Sequence, residues 1–268
     1  HWVLRSGIAQ SLTLQSDRSL GRGYPTSAMG VVAMVRQVLY DVDWYGRAQA
    51  AYLSHPQGLE RPETNASLAA LGPALKGGTP LLFEVHSPDE LFRTMGFCDE
   101  FSVTPWIRGS GYEYQILDVM ENLNAPLILP VAFPAAPSVD GPDAALDVSL
   151  AELRHWYLAP ENPARLMAAG IEFALTTDGL RDPDQFLPNV REAVNRGLSA
   201  DAALAAMTTT PARLLGLQQT YGTLEAGKVA NVVVVDGDLF ADDAVIRDVW
   251  VDGQRFEVDR LESENPRE

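Results

Sequence analysis

Between Pro80 and Asp178 the apolar residues fall into short continuous runs separated by stretches with helical spacing. Leu81–Val85, Phe101–Ile107, Pro126–Val131 and Glu172–Thr177 are strand-sized runs. A strand that is apolar on successive residues belongs in a sheet covered on both faces. Between the runs, Pro88–Phe97 sets Leu91, Phe92 and Met95 on one helical face, with Pro88 placed for a helix start. Tyr112–Leu123 repeats the pattern with Ile116, Leu117, Met120 and Leu123, and Pro163–Ala169 is helical up to Gly170. This βαβα rhythm predicts an α/β fold with a parallel sheet packed under helices.

The flanks differ. Ala28–Leu53 reads as one long helix with Met29, Val32, Val35, Val38 and Leu39 on one side, where Trp44 and Tyr45 are read as core. A polar, Pro- and Gly-containing loop, His55–Thr64, follows, then a short helix over Ala66–Leu75. Towards the C-terminus, Ser199 is an N-cap for Ala200–Met207, without the Glu three residues on that completes a capping box. Pro211 opens a further helix that Gly216 closes. Val229–Val235 reads as a strand, Asp236–Gly237–Asp238 as a turn, and Val249–Phe256 as a hairpin about Asp252–Gly253. No internal repeat or low-complexity segment breaks the chain.

Composition narrows the function classes. With 268 residues, 46% of them hydrophobic, the chain can bury a sizeable core and is not wholly disordered. No apolar run reaches the roughly 18 residues of a membrane span. A formal net charge of −16 without a Lys/Arg cluster argues against a nucleic-acid partner. The single cysteine, Cys98, permits no internal disulfide, and its place in the helical stretch Glu90–Phe101 reads as a buried thiol rather than a nucleophile. The chain opens abruptly at His1 with the strand-like Trp2–Leu4, so its natural N-terminus is expected elsewhere, and the charged Arg260–Glu268 reads as a tail or linker.

Three stretches resemble the amidohydrolase superfamily, in its imidazolonepropionase-like branch. The most specific is Gly197–Asp238, in which T-T-T-P-A-R-L-L-G-L leads into Y-G-T-L-E-A-G-K-V-A-N-V-V-V-V-D-G-D. Asn231 stands there where the family usually has Asp. Tyr24–Tyr45 resembles a segment of periplasmic members of that branch, and Glu84–Leu91, E-V-H-S-P-D-E-L, resembles the end of the family's fifth barrel strand. The resemblance implies part of a (β/α)8 TIM-like barrel over residues 1–221, beginning after the early strand with its His-x-His pair. It implies a small β-sandwich element from the C-terminal strands over 222–258, and residues 259–268 as tail. It also implies a periplasmic or secreted location.

Metal-dependent hydrolysis needs several His or carboxylate ligands converging at strand C-termini, with an open position for water. His86 ends the run Leu81–Val85 and reads either as a metal ligand or as a lone histidine hydrogen-bonded at a strand end. The family often has His-x-His here, so Glu84 is the alternative ligand position, with His86 then behind it. Asp178 matches the family's last-strand aspartate, implied to bind metal and act as general base, and otherwise starts a Thr177–Asp178–Gly179 turn. The sixth-strand histidine is missing: after Ile107 come Arg108–Gly109–Ser110–Gly111–Tyr112–Glu113. Glu113 is expected in the exposed first turn of a helix, and is a ligand only if the loop turns inward. His155 is expected in a loop-rich stretch as a surface or packing residue, and His1 and His55 in a terminus and a polar loop. The glycines of Gly21–Gly23 and Gly109–Gly111 lack a phosphate-loop lysine.

Two readings follow. One is a hydrolase of amide or cyclic-amide C–N bonds in small molecules, completed by upstream sequence and using Zn2+ or another divalent metal, with Asp178 as base and His86 as ligand. The other is a degenerate barrel without a normal metal centre, serving as a structural or interaction module. A partial barrel exposes apolar strand and helix faces, so association with the rest of a longer chain or as a homo-oligomer is expected.

Overall fold

A computed structural model describes residues 3–16, 24–123 and 125–257. The chain divides into two compact units, His1–Pro130 and Val131–Glu268. His1, Trp2, Gly21–Gly23 and the C-terminal tail lie outside the described residues, and Val3 and Leu4 are not in a strand.

The first unit contains β1 (Gln10–Thr13), α1 (Ala28–Ser54), α2 (Ala66–Leu75), β2 (Leu81–Glu84), α3 (Pro88–Phe101), β3 (Pro105–Arg108), α4 (Leu117–Leu123) and β4 (Leu127–Pro130). Strands β1 to β4 are parallel neighbours in chain order. A doubly wound sheet reverses its order at a switch point, whereas a barrel wall adds each strand on the same side. The sequence-predicted α/β fold is therefore present with the winding of a barrel segment.

Strand alternation gives this wall two faces. Leu81, Phe83, Val85, Ile107, Leu127 and Leu129 are all nearly inaccessible. Phe83 meets Phe97 of α3 edge-on, with centroids 6.0 Å apart. The other face carries Ser11, Thr13, Leu82, Glu84, Trp106, Arg108 and Ile128, all half-buried or exposed. In a barrel that second face points inward, and it is where polar residues gather at the strand ends.

Several boundaries differ from the sequence expectation for local reasons. Helix α3 runs four residues further, to Phe101, and closes on Ser102 in the left-handed region (φ 50°). The expected strand Phe101–Ile107 therefore shrinks to Pro105–Arg108. In α1 the buried stripe is Val31, Val35, Leu39, Val42 and Tyr45, whereas Met29 and Trp44 are exposed. Ser27 caps this helix, its Oγ accepting from Gly30 N at 3.2 Å.

The second unit contains α5 (Pro142–Asp147), α6 (Leu150–Leu158), α7 (Asn162–Ala168), β5 (Phe173–Thr176), α8 (Phe186–Asn195), α9 (Ala200–Met207), α10 (Thr209–Leu214) and the strands β6 (Val232–Asp236), β7 (Val245–Val251) and β8 (Gln254–Glu257). Its core joins Leu166, Val190, Ala193, Leu198 and Ala203, each 2% exposed or less. β6, β7 and β8 form an antiparallel sheet. Asp252 and Gly253 turn its hairpin with φ of 53° and 78°, the mirror-image turn that an Asp-Gly pair favours. Asn231 Oδ1 accepts from Asp252 N at 2.8 Å, so it holds that turn as an aspartate oxygen would.

Candidate active site

At the end of β2 the chain passes from Glu84 through Val85 and His86 into α3. Val85 is buried, so Glu84 and His86 share the opposite face. Glu84 Oε1 accepts from Ser11 Oγ on the neighbouring strand at 2.8 Å. Ser87 then caps α3, accepting from Glu90 N at 3.3 Å, with Pro88 in the first turn. Glu90 is 8% exposed, and two donors and an imidazole ring converge on it. Gln15 Nε2 donates to its Oε1 at 2.6 Å, and His86 N donates to its Oε2 at 2.8 Å. The His86 ring faces the same Oε2 through Nδ1 at 3.3 Å. The structure thus joins His86, Glu90 and Gln15, a grouping that the sequence expectation for His86 alone does not include. The signal is present as Ser87–Pro88–Asp89–Glu90, the S-x-x-E pattern of a helix start.

The end of β3 corrects a second expectation. Glu113 is not in an exposed helical turn; it is 3% exposed at the start of a 3-10 turn, Glu113–Gln115. Its Oε1 accepts from Ser110 N, from Ser110 Oγ at 3.0 Å and from Gly111 N at 3.2 Å, and its Oε2 from Gly111 N at 3.1 Å. A Cβ on Gly109 would lie 2.7 Å from Glu113 Oε1, so a larger residue there would displace the carboxylate. The buried carboxylate is thus folded back on its own loop, which supplies its acceptors with donors as burial requires. The loop does turn inward, as a ligand role would require, but the carboxylate is bonded to Ser110 and Gly111 and stiffens the loop that follows β3.

In the second unit, β5 ends at Thr176 and Asp178 follows two residues later, exposed. Asp178 N donates to Thr176 Oγ1 at 3.2 Å, and Leu180 N donates to Thr177 O at 3.1 Å across a turn in which Gly179 has φ 83°. The expected turn and the strand-end carboxylate are therefore the same feature.

The opposite end of β5 is tied to α10. Glu172 pairs with Arg213 and accepts from Thr210 Oγ1 at 3.1 Å. The hydrogen bond from Arg213 holds the Glu172 carboxyl below its ordinary range; partial burial opposes this and Thr210 reinforces it. A depressed carboxylate stabilises the fold above the ordinary carboxylate range, and that contribution disappears as pH falls through the lowered value. The melting temperature of the wild type is therefore expected to exceed that of Glu172→Gln by a small margin at neutral pH, since both partners are largely exposed. The difference should shrink on acidification, as thermal melts across an acid series would show.

The remaining candidates have structural places. His155 lies half-buried on α6, not in a loop. That helix starts with a complete capping box formed by Ser149 and Glu152, a signal the sequence carries as S-L-A-E. His55 follows α1 and donates its N–H to Ala51 O at 3.0 Å. Cys98 is 6% exposed on the buried face of α3, and burial pushes its thiol up to about 12. A buried, protonated thiol is a poor nucleophile. The folded protein is expected to leave Cys98 unmodified by a disulfide reagent and to release one equivalent of thiol on unfolding, read by the reagent's absorbance.

A catalytic divalent centre takes about three protein ligands and an open position. Among the described residues no three His, Cys, Asp or Glu side chains come together in such a group. The described residues do not by themselves fit that centre. Among them, too, no helix is long and apolar enough to cross a membrane.

Comparison with known proteins finds partial matches. Residues 161–256 match the model of the Amidohydrolase family. Over 98 residues the chain is 39% identical to adenine deaminase 2 of Jannaschia sp. (strain CCS1), covering 33% of this chain and 15% of that protein. Over 57 residues it is 46% identical to the amidohydrolase tasK of Hapsidospora irregularis, covering 21% of this chain and 6% of that protein. The crystal structure of an amidohydrolase from Thermotoga maritima MSB8 superposes with a TM-score of 0.75 at 23% identity, over 96% of this chain and 64% of that one. The chain thus spans less than two thirds of the length of these relatives.

Proposed function

We propose that this chain is a member of the amidohydrolase superfamily and the larger part of a unit that hydrolyses C–N bonds in small linear or cyclic amides, or in related ring amidines such as adenine. The observation that carries the reading is Asp178. It lies within the family-matched segment 161–256, exposed and held in a tight turn two residues beyond β5. The C-terminal ends of strands are where barrel enzymes carry their chemistry. A carboxylate there takes the proton of an attacking water as it adds to the carbon. His86 occupies the same station after β2, with its ring oriented by Glu90. A Zn2+ or other divalent centre would supply Lewis acidity, and it needs ligands beyond the described residues. The imidazolonepropionase-like branch stays part of this proposal, carried by the Tyr24–Tyr45 and Glu84–Leu91 segments.

The test is a turnover screen of the intact protein on adenine, hydantoin-type cyclic amides and N-acyl amino acids, with release of ammonia or ring opening as readout. Turnover that disappears in Asp178→Asn supports the reading, and turnover that survives that substitution overturns it. A second reading, a degenerate barrel acting as an interaction module, is favoured by the loop after β3, where Glu113 is consumed by Ser110 and Gly111. It predicts no turnover on any member of the panel.

A further inference from the structure

We infer that Glu90 is a positioning residue for His86, holding the imidazole with its proton on Nδ1 and presenting Nε2 as a lone-pair acceptor at the end of β2. Three observations carry this. First, Glu90 is buried to 8% exposure, and a buried carboxylate is an acceptor whose oxygens have to be filled by donors. Gln15 Nε2 takes Oε1 at 2.6 Å, which leaves Oε2 to His86. Second, both contacts on Oε2 come from one residue: His86 N at 2.8 Å fixes the main chain, and Nδ1 at 3.3 Å fixes the ring. Since Oε2 cannot donate, the ring contact is a hydrogen bond only in the tautomer with Nδ1 protonated. Third, in a capping box the N3 carboxylate reaches back only to the N-cap main chain. Here Ser87 is the cap, and Glu90 passes beyond it to the preceding residue and its side chain. Helix capping alone does not require a histidine at that place.

The consequence is a prepared ring. A neutral imidazole free in water slightly favours the proton on Nε2, which would leave the outward nitrogen a donor. Glu90 reverses that choice, as outer carboxylates do for histidines that ligate metals or accept protons. The use of Nε2 in hydrolysis rests on the function proposed above, whereas the tautomer rests on the geometry alone.

The experiment is a long-range 1H–15N correlation of the intact, histidine-labelled protein at alkaline pH. The chain has four histidines, and His86 is assigned by loss of its signals in His86→Gln. The wild-type spectrum is expected to show His86 predominantly as the Nδ1–H tautomer; predominance of Nε2–H overturns the inference whatever the variants do. In Glu90→Gln the amide has one acceptor where two are used, so the Nδ1–H population should fall while the other three histidines keep their signals. An unchanged tautomer in the folded variant also overturns the inference. If turnover has been found, Glu90→Gln should lower kcat/KM by about 10–100-fold. If no substrate is ever found but the wild-type ring is Nδ1–H, the proposed function fails and the positioning role stands.

Discussion

Asp178→Asn is expected to lower kcat of the intact protein by about 100- to 10,000-fold, the usual contribution of a positioned general base, with little change in KM. The substitution is chosen to separate chemistry from structure. The turn at this position includes main-chain and threonine contacts: Asp178 N on Thr176 Oγ1, Leu180 N on Thr177 O, and Gly179 at positive φ. Asparagine has the same shape and keeps the same N–H, so the turn should survive while the proton acceptor is lost. Asp182 provides the control. It is exposed nearby in sequence, and its side chain accepts from Asp184 N at 3.0 Å to start a 3-10 turn. Asp182→Asn is expected to leave kcat within a factor of about two, because an Asn cap replaces an Asp cap at little cost. Equal losses in both variants would point to damage of the loop after β5 and would remove Asp178 from the mechanism. Melting curves recorded alongside the kinetics make the distinction, since neither change should move the midpoint appreciably.

How far the sequence reaches is clearest at the strand ends. The apolar runs around β2, β4 and β5 are legible because a buried parallel strand needs continuous apolar residues and little else. β1 is not: three of the four residues of Gln10–Thr13 are polar, with Ser11 and Thr13 on the exposed face of the wall, and Leu12 is its one apolar residue. The extent of α3 is hidden because Ser102 ends it in a left-handed conformation usually marked by glycine. At the candidate site, His86 and Asp178 stand at recognisable places, since the ends of strands are visible in the pattern. What Glu90 and Glu113 do is not visible there, because a carboxylate's role depends on which donors the fold brings to it. Gln15 reaches Glu90 across 75 positions, and no periodicity encodes that contact. Glu113 is the converse case: its donors are two and three residues away, but only the loop's own path decides that the side chain folds inward.

The resemblance motif Y-G-T-L predicts its own structural experiment at Gly222. Gly222→Ala is expected to destabilise the protein by about 2–4 kcal/mol, read as a lower denaturation midpoint in urea at unchanged slope. Two costs add. Gly222 has φ 98°, where an alanine is strained by about 1–3 kcal/mol. Its added Cβ would also meet Ala212 Cβ at 2.8 Å and Thr208 O at 3.2 Å, both belonging to the helical segment around α10 that cannot yield by rotating a side chain. Gly227 isolates the first cost, because its φ is 94° and an added Cβ would find nothing within 4 Å. Gly227→Ala should therefore lose only the conformational part, at the low end of about 1–3 kcal/mol. The steric part is isolated by a double-mutant cycle with Ala212→Gly, which removes the struck atom. Ala212→Gly alone costs about 1 kcal/mol as a glycine in a helix. Combined with Gly222→Ala, it should cost less than the sum. Strict additivity would show that the close approach of Gly222 to α10 does not govern this turn. A favourable coupling would show that the glycine of the motif is retained because the chain leaving α10 passes directly against it on its way to the β6–β8 sheet.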